Sequence, residues 1–176
     1  MFQSKMKQME IQSQGQWVLY RLEKFYGNAV NVQRVKGILE GKSTLSLRLI
    51  DWFVTNYAKK FNTSFITKSG KHVIVYLSYK SHLKAYSKKM FDPFCRSKRI
   101  KFMGFDTTVG QLNFFEWAIT DEILDYLETH SQQVHTDMES RLKETETETH
   151  KKRHELSKSA TNSLRCHDVR VTVKFD

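Results

Sequence analysis

Apolar residues recur at helical spacing through most of the first 130 positions of the chain. Steps of three and four residues place side chains on one face of a helix, and that face is then buried in a core. Thr108 followed by Gln111 has the spacing of a capping box, and Ser43 or Thr44 can cap an earlier helix. The helices that this pattern predicts cover residues 16–27, 29–40, 44–61, 78–90 and 109–129.

Other stretches have the composition of β-strands. FIT and HVIVYL lie on either side of KSGK within 65–77, which predicts two strands joined by a glycine-containing turn. RIKFM at 99–103 predicts a further short strand. The clearest alternation is in 169–175, where the apolar face consists of Val169, Val171, Val173 and Phe175. A half-buried strand has this pattern, so 169–175 is predicted to pair with a sheet of its own chain or of a neighbouring chain.

These elements predict an α+β fold, with five or six helices packed on a small, mainly antiparallel sheet. Residues 1–130 are expected to form a single globular domain. Residues 131–168 form a charged, low-complexity connection that is predicted to be solvated helix or disorder. Residues 169–176 follow as a C-terminal strand.

Composition favours a soluble protein that stays inside the cell. No apolar run approaches the roughly 20 residues that span a bilayer, and the polar start MFQSKMKQMEIQSQ has no apolar signal-peptide core. Cys95 and Cys166 belong to no CxxC pattern, so both are predicted to be reduced thiols.

The net charge of +10 is distributed unevenly along the chain. Residues 67–103 contain ten basic residues against Asp92 alone, which gives +9, whereas residues 104–149 contain two basic residues against eleven acidic ones, which gives −9. Opposed charged surfaces of this kind orient association with other macromolecules.

The basic stretch YKSHLKAYSKKMFDPFCRSKRIKFM at 79–103 contains lysine and arginine interleaved with aromatic residues. Cations neutralise phosphates and aromatic rings can stack on unpaired bases, which favours nucleic acid. The alternative interpretation is that the aromatic residues belong to the core and the cations to a solvated rim. If the surface is functional, the residues predicted to bind a partner or nucleic acid are Lys88, Lys89, Arg96, Lys98 and Arg99.

Three patterns that could carry chemistry have weaker support. GILEGKS at 37–43 has three residues between its glycines where a phosphate-binding loop has four, so a helix stop is the better interpretation. His150 and His154, with Cys166 and His167, supply no second clustered ligand pair for zinc. Cys95 lies near cations, but no histidine in the sequence is indicated as its partner. We therefore expect no catalytic residue, no metal and no cofactor.

Long stretches of the chain resemble a small uncharacterised protein found across nucleocytoplasmic large DNA viruses, in the algal-infecting and iridescent groups. The resemblance is carried by SLRLIDWFVTNYAKK at 46–60, by residues 79–100 with TTVGQLNFFEWAI at 107–119, and by residues 155–176. It implies a viral protein made in the host cytoplasm and present in the virion, and it carries over no functional residue.

Charge distribution and resemblance together predict a non-enzymatic structural protein of a virus particle. A minor capsid component that contacts other viral structural proteins is the leading hypothesis. A basic nucleic-acid-binding protein, associated with the genome or with transcription, is the alternative.

Overall fold

The computed structural model describes the backbone of residues 14–171 and the side chains of residues 14–147. Its helices are α1 Gln14–Phe25, α2 Ala29–Leu39, α3 Leu47–Trp52, a π-helical turn Phe53–Tyr57, α4 Ala58–Phe61, α5 Val75–Met90, α6 Val109–Thr120 and α7 Ile123–Val171. Its strands are β1 Ser64–Ile66, β2 His72–Ile74, β3 Arg99–Phe102 and β4 Phe105–Thr108. The described residues up to Val134 form one compact unit, and those from His135 onward form another.

The predicted α+β class is confirmed, but the strands form two separate hairpins instead of one sheet. β1 pairs antiparallel with β2, and β3 pairs antiparallel with β4. Each strand is only three or four residues long and pairs with the strand next to it in the chain. β4 was not predicted, because FDTT lacks an alternating apolar pattern.

Side-chain caps fix where several helices begin. Asn28 accepts a hydrogen bond from the backbone of Val30 at the start of α2. The cap of α3 is Ser46, whose hydroxyl accepts from the backbone of Leu49, so the prediction of Ser43 or Thr44 is wrong by two or three residues. Thr108 caps α6 as predicted, and its hydroxyl accepts from the backbone of Gln111.

Two predicted elements end earlier than their patterns indicated. The strand expected to reach residue 77 ends at Ile74, and α5 begins at Val75. The helix expected over 109–129 is broken at Asp121 and Glu122, where Glu122 has a φ of 56°. The break is stabilised by β1 and β2, because the backbone N–H of Lys68 in their connection donates to the carboxylate of Glu122 at 2.8 Å.

The segment after residue 131 is helical where the backbone is described, since α7 continues to Val171. The strand predicted over 169–175 is therefore wrong at Val169 and Val171, which lie in the last turn of α7; Val173 and Phe175 lie outside the described residues. A strand needs a neighbouring strand to satisfy its backbone, whereas a helix satisfies its backbone internally.

The core is built around α6, which is buried on nearly all sides. Tyr26, which directly follows α1, is buried against it and donates its hydroxyl to the carbonyl of Leu112 at 2.7 Å. Other large side chains that are fully buried in this core are Phe53, Phe91, Phe114, Phe115, Leu22, Leu45 and Ile50. α6 is thus the central helix against which the other segments pack.

Candidate functional site

A cavity of about 790 Å³ opens between α3, α5 and the segment that connects α5 to β3. This volume lies within the range of ligand pockets. Its apolar lining consists of Leu83, Met90, Phe91, Ile100 and Val109. Its polar lining consists of Asp51, Thr55, Tyr79, Lys88, Lys89, Asp92, Arg96, Ser97 and Lys98. Most of these polar residues lie within 88–98, and the remaining three come from α3, the π-helical turn and α5.

Four of the five basic residues singled out in the sequence line this cavity. Lys88, Lys89, Arg96 and Lys98 are exposed and lie around it, whereas Arg99 begins β3 and is not part of the lining. The sequence therefore singled out four residues that line one cavity, and their role in binding stays a prediction.

The cations of the cavity differ in whether they already have a partner. Arg96 donates two hydrogen bonds to the carboxylate of Asp92, at 3.0 and 3.1 Å. In the part of the chain that the structure describes, Lys88, Lys89 and Lys98 have no carboxylate partner. Three positive charges are thus free to meet an anion at this cavity.

Asp51 is the second carboxylate of the cavity, and sequence reasoning missed it. It precedes the π-helical turn, and among the described residues its carboxylate receives no hydrogen bond and no ion pair. Burial raises the pKa of Asp51, Arg96 lowers it and Asp92 raises it further. Burial also raises the pKa of Tyr79 beside it, with the charges of Asp51 and Asp92 adding to the effect. The cavity therefore contains a half-buried carboxylate with unused acceptor capacity.

The α5–β3 connection, residues 88–98, starts at the kinked end of α5 and follows a strained residue. Ser87 interrupts α5 with a φ of 62° and a ψ of 169°, a region of backbone space that is populated almost only by glycine. Conformations of this kind cost about 1–3 kcal/mol and persist only where the surroundings impose them. Lys88 and Lys89 follow directly, so the strain sets the direction in which they leave the helix.

Packing against α6 holds this connection in place. A Cβ on Gly110 would lie 2.6 Å from the carbonyl oxygen of Lys89, so only glycine allows the approach. The side-chain amide of Asn113 donates to the carbonyl of Met90 at 2.8 Å, and that of Gln111 donates to the carbonyl of Pro93 at 2.8 Å. The lysines are therefore presented from a rigid backbone.

The aromatic side chains of 79–103 are buried or half-buried, so they do not form an exposed stacking surface. Phe91 and Phe102 are buried in the core, which bears out the interpretation of core aromatics with a cationic rim for these two. Phe94 is half-buried, and the guanidinium of Arg96 lies over its ring at 4.8 Å. The basic residues, not a row of exposed rings, define this surface.

The other candidate motifs supply no competing site. Gly41, with a φ of 74°, follows the end of α2, which confirms the interpretation of GILEGKS as a helix stop. No group of three or more histidine, cysteine or acidic side chains that could hold a metal is found among the described residues. Cys95 is a free, half-buried thiol. His150, His154, Cys166 and His167 have no described side chains.

Several acidic residues of α6, of the break after it and of α7 pair with cations of other elements. Glu116 binds Arg21 of α1 at 3.1 Å, and Asp121 binds Lys71 at 2.8 Å. Asp125 and Glu128 both contact Arg34 of α2, at 2.7 and 3.1 Å. Helical spacing shows that residues share a face, but it does not show which distant cation meets that face.

No helix within the described residues is long and apolar enough to cross a membrane. No solved structure matches this chain. "Uncharacterized protein L507" of Acanthamoeba polyphaga mimivirus is 37% identical over 161 residues, which cover 84% of this chain. The chain spans 61% of that relative's length. This relative is consistent with the resemblance to a protein of large DNA viruses, while the algal-infecting and iridescent groups stay a prediction. Residues 2–175 match a family of unknown function (DUF7197), and the chain belongs to that family.

Proposed function

We propose that this chain is a non-enzymatic nucleic-acid-binding protein of a large DNA virus, and that the cavity beside Lys88 and Lys89 is its binding site. The observation that carries the proposal is the convergence of four exposed cations on one cavity, three of them without a carboxylate partner among the described residues. Lysines held in this way neutralise phosphates and release counterions, which is the main sequence-independent source of affinity for nucleic acid.

Rigidity of the connection supports the same proposal. A surface that only keeps a protein dispersed needs no fixed backbone, yet this one is held by Gly110 and by the amides of Gln111 and Asn113. Ordering the cations before binding lowers the entropic cost of association. The net charge of +9 over residues 67–103 steers a polyanion toward the same region.

The experiment measures binding of fluorescein-labelled single-stranded and duplex oligonucleotides over a salt series from about 50 to 200 mM, the range in which phosphate contacts lose affinity steeply. The double variant Lys88→Glu with Lys89→Glu should bind much more weakly. For single strands, its plot of log affinity against log salt should be shallower by roughly 0.7 for each lost contact.

The matched control is Lys80→Glu with Lys84→Glu, which makes the same charge change on two exposed lysines of α5 outside the cavity. If both double variants lose affinity equally, net charge and not the cavity is responsible, and the site is wrong. If the wild type binds no oligonucleotide at low salt, the function is wrong.

A role as a minor capsid component, with other viral structural proteins as partners and with the host cytoplasm and virion as location, stays a prediction. Recovery of the protein with capsid shells that contain no DNA, combined with no oligonucleotide binding, would favour that role over the proposed one.

A further inference from the structure

The two carboxylates that line the cavity are not equivalent. Asp92 is engaged by the guanidinium of Arg96 through two hydrogen bonds, and its side chain also accepts from the backbone of Phe94 at 3.4 Å. The carboxylate of Asp51 has no such partner among the described residues. A phosphate backbone would be repelled by Asp51, so phosphate binding alone does not explain this residue.

The position of Asp51 is fixed from the helix side. The hydroxyl of Thr55 donates to the backbone carbonyl of Asp51 at 2.6 Å across the π-helical turn, and both residues line the cavity. π-Helical turns within helices occur often at functional sites. The Thr55 hydroxyl is engaged by the backbone, which leaves the Asp51 carboxylate as a free acceptor on this wall.

The rest of the cavity suits a flat apolar ring with a charged group attached. Leu83, Phe91 and Ile100 supply apolar surface, while Lys88 and Lys98 supply positive charge. A volume of about 790 Å³ lies within the range that accommodates small organic ligands. One nucleotide has this combination of an aromatic base and a phosphate.

We infer that the cavity receives one nucleotide of a single strand, and that the carboxylate of Asp51 accepts hydrogen bonds from the Watson–Crick edge of a guanine. The inference rests on the proposed function. The two oxygens of a carboxylate accept a pair of parallel N–H donors. Guanine presents such a pair, N1–H and the exocyclic N2 amine, whereas thymine presents a single N–H. The burial that raises the pKa of Asp51 also strengthens the hydrogen bond from any donor that reaches its carboxylate.

The test uses labelled ten-nucleotide strands of thymidine that contain one central guanosine, inosine or thymidine. Inosine keeps N1–H but lacks the exocyclic amine. The wild type should bind the guanosine strand at least about fivefold more tightly than the thymidine strand, with the inosine strand between them, since a bidentate contact to a base discriminates to this extent or more.

Asp51→Asn should bind all three strands equally, and it should bind the thymidine strand at least as well as the wild type because a negative charge has been removed. The matched control is Asp106→Asn, which changes an exposed carboxylate of β4 outside the cavity lining and should retain the preference. Thermal melting of both variants checks that the fold is intact.

The possible outcomes separate the inference from the function on which it rests. Equal binding of the three strands by the wild type, or an unchanged preference in Asp51→Asn, overturns the inference and leaves nucleic-acid binding in place. Binding of none of the strands overturns both. Loss of the preference in Asp51→Asn alone supports the inference.

Discussion

The charged residues around Arg21 and those around the α5–β3 connection behave in opposite ways. The guanidinium of Arg21 contacts Glu116 at 3.1 Å and the hydroxyl of Tyr86 at 2.7 Å, and it also donates to the side chain of Asn113. Lys88 and Lys89, by contrast, have no carboxylate partner among the described residues. Both regions pack on α6, so the difference is not one of location in the fold.

Burial explains the contrast. The side chains of Arg21 and Glu116 are 31% and 19% exposed, and burial raises the pKa of Glu116 even though Arg21 lowers it. A charge that is removed from water needs partners, whereas an exposed lysine is satisfied by solvent until a ligand arrives. The paired charges around Arg21 connect α1 to α6, whereas the exposed Lys88 and Lys89 have no carboxylate partner among the described residues.

The largest expected effect comes from breaking the paired region. Arg21→Met should lower the free energy of unfolding by about 2–3 kcal/mol, because it leaves Glu116, Tyr86 and Asn113 without their donor. Lys88→Met should change it by less than about 0.5 kcal/mol. Urea denaturation of both variants measures the difference. Equal losses would mean that Lys88 also has a structural role and would remove the contrast.

A smaller effect is expected at Ser87, the strained residue that precedes Lys88 and Lys89. Ser87→Gly should raise the free energy of unfolding by roughly 1 kcal/mol, since glycine adopts this backbone conformation without steric cost. The control Ser81→Gly, within the regular part of α5, should instead destabilise by roughly 0.5 kcal/mol. Thermal denaturation compares the two. Destabilisation by Ser87→Gly would show that the conformation is not strained.

The smallest effect concerns Asp51 and depends on pH. Its pKa is raised in the folded protein, so its contribution to stability is complete below the ordinary aspartate pKa of about 3.9 and is lost as the pH rises through the folded-state value. Asp51→Asn removes this loss, and its advantage in stability over the wild type should grow from about pH 4 to pH 7. Unfolding free energies at several pH values measure it. A difference that stays constant over this pH range would contradict the assignment.

A residue whose replacement stabilises the protein but weakens binding is typical of a functional site. Asp51 is expected to behave in this way towards the guanosine-containing strand, and Arg21 is not. Stability and binding measurements on these two positions therefore sharpen the distinction between the two regions.

Much of the local structure could be predicted from the sequence, because it depends on contacts between near neighbours. The apolar spacing of α1 and α2, the cap at Thr108 and the glycine-containing turn between β1 and β2 are local features. The basic residues Lys88, Lys89, Arg96 and Lys98 were also identifiable, because composition alone marks a stretch with ten cations and one acid.

Tertiary contacts decided where the structure differs from the predictions made from local sequence patterns. The break at Glu122 depends on a backbone N–H from Lys68, which is 54 positions away. The alternating valines at Val169 and Val171 lie in α7, since alternation favours a strand only where a partner strand is present.

By itself, therefore, the sequence determined the class of fold, the places where most helices begin and the segment in which positive charge is concentrated. Only the tertiary structure decided that Asp51, 37 residues before Lys88 in the sequence, lines the same cavity. It also decided that Arg21 is paired, whereas Lys88 has no carboxylate partner among the described residues. The physical reason is that propensity and capping act within a few residues, whereas burial and charge pairing depend on residues that only the folded chain brings together.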